Sequence, residues 1–133
     1  MKIYIAHSNN FDYKNELYVP LRKSPLSSRH EIFLPYENDK FVNTKEIIKR
    51  SDAVIAEVSY PSTGEGIELG WADDFGITIL CLYKEGTKLS RSLKAITDKV
   101  VSYFDDKDML NKIESFLSQN DLSALNPLPD SRR

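Results

Sequence analysis

Apolar positions in this chain fall into short continuous runs, separated by stretches with helical spacing. Residues 2–6, Lys-Ile-Tyr-Ile-Ala, read as a strand. Residues 12–29 have a helical pattern that Pro20 and Pro25 break or bend. Residues 31–34 form a second strand, stopped by Pro35, and 43–50 a short helix with Asn43 or Thr44 as N-cap. Residues 53–58, Ala-Val-Ile-Ala-Glu-Val, are apolar on both alternations, as in a strand buried on both faces. Residues 65–75 predict a helix whose packing face carries Ile67, Trp71 and Phe75, spaced four apart, with Gly76 as its C-terminal stop. A strand over 77–83, a short helix over 90–96, a strand over 99–103 and a helix over 107–117 complete the pattern.

This alternation predicts an α/β domain: a doubly wound, Rossmann/flavodoxin-like sheet of five mostly parallel strands, occupying residues 1–120. Residues 121–133, with Pro127, Pro129 and a charged end, are expected to be a mobile C-terminal tail. In such sheets ligands sit beyond the carboxyl ends of the strands. That rule gathers residues 7–10, 59–68 and 84–90 along one edge.

Charge and cysteine content narrow the function classes. Eighteen Lys and Arg against 20 Asp and Glu give a net charge of −2, leaving no bulk electrostatic case for a nucleic-acid polymer as partner. The single cysteine, Cys81, lies inside an apolar run and reads as a buried thiol. No apolar stretch reaches the roughly 18 residues of a membrane span, and the chain opens on a strand-like run rather than a signal peptide, so no membrane partner and a cytoplasmic location are expected. His7 and His30 are too few and too separated to argue a metal site.

The chemistry concentrates in residues 52–70, Asp-Ala-Val-Ile-Ala-Glu-Val-Ser-Tyr-Pro-Ser-Thr-Gly-Glu-Gly-Ile-Glu-Leu-Gly. They read as strand, tight turn and helix start. Gly64 and Gly66 let backbone N–H groups approach a ligand, and a helix start offers unpaired donors and positive dipole potential. Such a place can hold an anion while keeping the carboxylate of Glu68 ionised. Each residue also has a plainer role. Glu68 fits an ordinary first-turn acid, Ser62 with Glu65 fits a capping box, Tyr4 fits core packing, and Glu57 fits a buried acid bracing the loop. Trp71 and Phe75 fit core, Asp73 and Asp74 a solvated face.

This stretch resembles the nucleoside 2-deoxyribosyltransferase superfamily. Asp52, Val54, Ala56, Glu57, Val58, Ser59, Pro61, Ser62, Gly64, Gly66, Glu68, Leu69 and Gly70 match its pattern. Within it the chain is most similar to the 2'-deoxynucleoside 5'-phosphate N-hydrolases, because Ser62 stands where the transferases carry an Asp. Ile3-Tyr4-Ile5 followed by Ser8, and Leu89-Ser90, add weaker matches.

The resemblance implies hydrolysis of the N-glycosidic bond of a (deoxy)nucleoside 5'-monophosphate, without cofactor or metal. Glu68 would be the nucleophile and Tyr4 would lie against the sugar and position it. Ser8, Asn10, Ser62 and Gly64 would contact the nucleotide, and Ser90 the phosphate site of a neighbouring subunit in a homodimer. Two positions depart from the pattern. Thr44 stands where the family places an Asp to protonate the leaving base, leaving Glu37, Asp39 or Glu46 as substitutes. Asn10 stands where its hydrolases carry an Arg, leaving Arg22 or Lys23 to supply charge. The missing Asp is the feature that favours a non-catalytic nucleotide-binding module as the alternative; a deoxyribosyltransferase acting on a nucleoside is the other.

Overall fold

Strand β1 (Lys2–His7) lies between β2 (Glu31–Phe33) and β3 (Ala53–Glu57), and β4 (Thr78–Lys84) and β5 (Val100–Tyr103) follow on the far side. The order is therefore β2-β1-β3-β4-β5, and every neighbouring pair is parallel. The computed structural model describes residues 1–125. The expected five-stranded doubly wound sheet is what forms, wholly rather than mostly parallel.

The segment expected as one helix over 12–29 is three pieces: a π-helical run Lys14–Tyr18, α1 (Val19–Lys23) and α2 (Leu26–Arg29). Ser24 is extended between the last two, and Pro20 sits in the first turn of α1, where a missing N–H costs no hydrogen bond. Helix α3 (Thr44–Lys49) is capped by Asn43, whose side chain accepts the Glu46 N–H. Helix α4 (Thr63–Asp74) is capped by Ser62 and ends at Gly76, where φ is +74°. A 3-10 turn, Arg91–Ala95, precedes β5. Helix α5 (Asp106–Leu125) runs past the expected end at 117, into the segment read as tail; residues 126–133 of that expected tail lie outside the described residues.

Strand alternation divides the core between the two faces of the sheet. Ile3 and Ile5 of β1 pack with Leu21 of α1 and with Met109, Ile113 and Phe116 of α5. Tyr4 and Ala6 face the other way, packing with Ile48 of α3 and Leu69 and Ala72 of α4. The fully buried face of α4 is thus Glu65, Leu69 and Ala72; of the expected Ile67, Trp71 and Phe75, the last two pack against the flank of that core and Ile67 does not. Ile67 is 49% exposed, whereas Trp71 and Phe75 are half-buried at the seam with α3, under the ammonium groups of Lys45 and Lys49. The physical reason is that the four-residue spacing also fits the edge of the packed stripe, where one side of the ring meets the core and the other is covered by a lysine.

The chain reverses its direction of travel across the sheet between β1 and β3. Their carboxyl ends leave a crevice there, into which the loop after β1 and the start of α4 both project.

Candidate active site

A cleft of about 860 Å³ opens at this crevice. The loop after β1 contributes Ser8, Asn9 and Asn10, the segment after β2 contributes Tyr36, Asp39, Lys40 and Phe41, and the start of α4 contributes Ser62, Gly64, Glu65 and Glu68. His7, Lys14 and Thr44 also line it.

Glu68 stands on the second turn of α4, directly above the side of the sheet toward which Tyr4 points. The Tyr4 hydroxyl donates a 2.6 Å hydrogen bond to Glu68 Oε2. Burial pushes the Glu68 carboxyl above its usual range, while hydrogen bonds from the Tyr4 and Thr44 side chains pull it back towards the ionised form. The helix start alone therefore does not keep Glu68 ionised; two specific donors oppose its desolvation. Burial and the neighbouring Glu68 charge raise the Tyr4 hydroxyl far above its ordinary range, so it stays a donor.

Tyr4 itself is fully buried, stacked on Phe33 at 5.7 Å, and does not line the cleft. Its ring is set back from the cleft, and it meets the site through the hydroxyl that holds Glu68. A strand residue in the middle of a covered face can reach the site only through its hydroxyl tip.

Ser8 is buried at the end of β1 and its Oγ accepts the Asn10 N–H at 2.9 Å, fixing the turn that presents Asn10 to the cleft. His7 is held between the Ser8 carbonyl (2.8 Å) and the Tyr18 hydroxyl (2.7 Å), and Tyr18 in turn accepts the Tyr36 N–H at 3.0 Å. Burial lowers the His7 pKa, so the ring is neutral: Nδ1–H donates to Ser8 and Nε2 accepts from Tyr18. His7 thereby ties two walls of the cleft together, with Tyr13 and Tyr36 packed on its ring.

Ser62 Oγ accepts the Glu65 N–H at 3.4 Å. The second half of a capping box does not form, because the Glu65 side chain turns inward and is 5% exposed. Glu57 braces the loop below: its carboxylate accepts the Ser59 N–H (2.7 Å), the Ser59 hydroxyl (2.8 Å) and the Tyr103 hydroxyl. Ser59 Oγ then accepts the Lys84 N–H, joining the ends of β3 and β4.

Of the three acids weighed as substitutes at Thr44, only Asp39 lines the cleft. Glu37 is paired with Arg22 at 2.7 Å, which holds its carboxyl below the usual range, and Glu46 is exposed on α3. The same ion pair, with the Ile32 carbonyl, occupies Arg22, so Arg22 does not reach the cleft. Its lysines are Lys14 and Lys40 instead. Ser90 is not on this cleft. It lies in an adjoining groove with Gly66, Leu69 and Gly70, which shares Ser62 and Glu65 with the cleft. Its Oγ caps the following 3-10 turn through the Ser92 N–H. Among the described residues no group of three or more His, Cys, Asp and Glu side chains is placed to hold a metal ion.

Glu65, inside the cleft wall, went unnoticed from sequence beyond its capping-box spacing. Its signal was a carboxylate at the position preceding Leu69 and Ala72 on the buried stripe of α4, which the Ile67-Trp71-Phe75 spacing masked.

Known proteins resemble this chain in sequence and in fold. The chain is 34% identical over 100 residues to the 5-hydroxymethyl-dUMP N-hydrolase of Mus musculus, covering 67% of this chain and 58% of that protein. It is 32% identical over 98 residues to the 5-hydroxymethyl-dUMP N-hydrolase of Branchiostoma floridae, covering 67% of this chain and 93% of that protein. The matched part thus spans about three fifths of the mouse relative and nearly all of the Branchiostoma one. No family model matches. Among solved structures, a Clostridium botulinum CMP N-glycosidase superposes with a TM-score of 0.60 at 24% identity, covering 86% of this chain and 99% of that one. A 2-deoxyribosyltransferase of Bacillus psychrosaccharolyticus superposes with a TM-score of 0.63 at 23% identity, covering 84% and 91%. These two share the fold. The residue pattern of 52–70 and the sequence relatives agree: the chain belongs to the 5-hydroxymethyl-dUMP N-hydrolase family.

Proposed function

We propose that this protein hydrolyses the N-glycosidic bond of a (deoxy)nucleoside 5'-monophosphate, releasing free base and sugar 5-phosphate. One observation carries the reading: a half-buried carboxylate, Glu68, aimed at the cleft and held by the Tyr4 hydroxyl at 2.6 Å.

A Glu68 oxygen attacks the anomeric carbon as the carbon–nitrogen bond to the base breaks, and positive charge developing on the sugar is met by the carboxylate. The base leaves with the bonding pair and takes up a proton. Water then adds to the anomeric carbon, giving up a proton that replaces the one taken by the base, the ester bond to Glu68 breaks, and Glu68 returns as a carboxylate. Asp39 is the acid on the cleft wall available to exchange a proton with the base. Ser62, Asn10 and the N–H groups at the start of α4 suit the phosphate, with Lys14 and Lys40 adding charge from the rim.

The reading includes a homodimer in which Ser90 borders the partner's site. What supports it is the groove around Ser90, continuous with the cleft through Ser62 and Glu65, and the exposed Ile67 beside it on α4.

Incubation with a panel of nucleoside monophosphates, with released base read by chromatography, tests the activity. Base release supports a hydrolase. Exchange of sugar onto an added second base supports a transferase, and binding without release supports a non-catalytic module.

A further inference from the structure

We propose that Phe41 is a base-recognition residue: the planar base of a nucleoside 5'-monophosphate stacks on its ring, in an aromatic wall that Phe41 forms with Tyr36. This inference rests on the preceding reading that the cleft takes a nucleotide.

Phe41 lines the cleft yet is 94% exposed, the most exposed large apolar side chain among the described residues. It belongs to neither core cluster, and no stacked or edge-on ring pair includes it among the described residues. A phenylalanine ring in water gains nothing from the hydrophobic effect until a partner covers it. Phe41 therefore offers the cleft an apolar face that the chain itself leaves uncovered.

Tyr36, five residues earlier in the irregular segment between β2 and α3, is half exposed on the same cleft but firmly held. Its N–H donates to the Tyr18 hydroxyl at 3.0 Å, and its hydroxyl accepts from Asn9 Nδ2 at 3.4 Å. Its ring packs on His7 at 5.6 Å and Tyr13 at 5.7 Å. The wall thus pairs a fixed aromatic ring with an uncovered one. Asn38 between them also lines the cleft and carries both a donor and an acceptor for the edge of a heterocycle.

The direction of attack decides which part of the nucleotide meets this wall. A nucleophile and its leaving group lie on opposite sides of the anomeric carbon. Glu68 approaches from α4, so the base points away from that helix. In the strand order β2-β1-β3, the segments after β2 and after β3 lie on opposite sides of the loop after β1. The wall across from α4 is therefore the segment that carries Tyr36, Asn38 and Phe41. Sugar and phosphate have no flat π-face to lay on an aromatic ring, whereas every base has one.

The test uses Glu68→Gln as background, so that no bond is cleaved during titration. Calorimetry compares dUMP, dCMP, dAMP and dGMP, the tightest being scored, with 2-deoxyribose 5-phosphate, which lacks a base. Adding Phe41→Ala should weaken the scored nucleotide at least about fivefold and leave the sugar phosphate within about twofold. Because Phe41 is exposed, its thermal unfolding should match that of the background. Adding Phe41→Trp should keep nucleotide affinity within about threefold and place a fluorophore on the wall. Its emission should be quenched by the nucleotide and not by the sugar phosphate, while Trp71, which does not line the cleft, serves as the control in the background protein. Unchanged nucleotide affinity in Phe41→Ala, an equal loss for both probes, or no nucleotide quenching in Phe41→Trp overturns the role of Phe41 alone. If the parent protein neither binds 2-deoxyribose 5-phosphate nor releases base from any of the four nucleotides, the nucleotide reading falls with it.

Discussion

At the scale of single residues, the site turns on three side chains whose environments set different protonation states. Glu68 is pulled towards ionisation by Tyr4 and Thr44 against the effect of burial. Tyr4→Phe removes one of those donors, so the Glu68 pKa should rise and the acid limb of the kcat profile should move to higher pH; a pH–rate series on both proteins checks this. Glu65 stands at the other extreme. Its folded-state pKa, about 9, lies above the ordinary 4.5, so the folded state holds the proton more tightly than the unfolded chain. Stability from this group is fully present below about pH 4.5 and is lost as pH rises through about pH 9. Glu65→Gln should flatten that dependence and stabilise the protein near pH 7 by on the order of 3 kcal/mol, read as a pH series of thermal unfolding. Glu65 also marks where sequence reasoning ran out. A carboxylate three residues before another in a first turn looks like solvent-facing helix chemistry, and only the packing of α4 on the sheet shows that it points inward.

At the scale of elements, β3, the turn after it and α4 act together. Glu57 ties Ser59 and Tyr103 under the turn, Ser62 caps the helix, and the helix carries Glu65 and Glu68 to the cleft. The strand was legible because its residues are buried on both faces, and the helix because Ser62 and Gly76 punctuate it. The rotation of α4 was not legible: hydrophobic spacing cannot distinguish Leu69 and Ala72 against the sheet from Trp71 and Phe75 under lysine stems on α3. The same limit applied to Glu37, Asp39 and Glu46, whose separation into an ion pair, a cleft wall and an exposed helix position depends on where an irregular loop runs. Gly76 gives a test at this scale. Its φ is +74° and no atom lies within 4 Å of where a Cβ would sit, so Gly76→Ala is strained by backbone conformation alone. It should cost about 1 kcal/mol, measured by urea unfolding, and leave the cleft chemistry unchanged.

At the scale of the whole molecule, strand order is what makes a site out of these parts. With β1 flanked by β2 and β3, the loops after β1 and β3 diverge over opposite faces and open a crevice between them. The βαβ alternation was enough to foresee a doubly wound parallel sheet with its site beyond the carboxyl ends of the strands, but not the strand order that places the crevice between β1 and β3. What one chain's sequence did not display is the relation between the cleft and the groove holding Ser90, which meet at Ser62 and Glu65. If a second copy covers that groove, light scattering at micromolar concentration should give twice the mass of the 15.3 kDa chain, and Ile67→Glu should shift it towards monomer. The central claim, that Glu68 is the nucleophile of an N-glycosidase, is tested most directly by base release from nucleoside monophosphates by the parent protein and by Glu68→Gln side by side. The account predicts base and sugar phosphate in equal amounts from the parent, and turnover lower by at least about two orders of magnitude in the variant with nucleotide binding retained. Parent-like turnover by Glu68→Gln would contradict it.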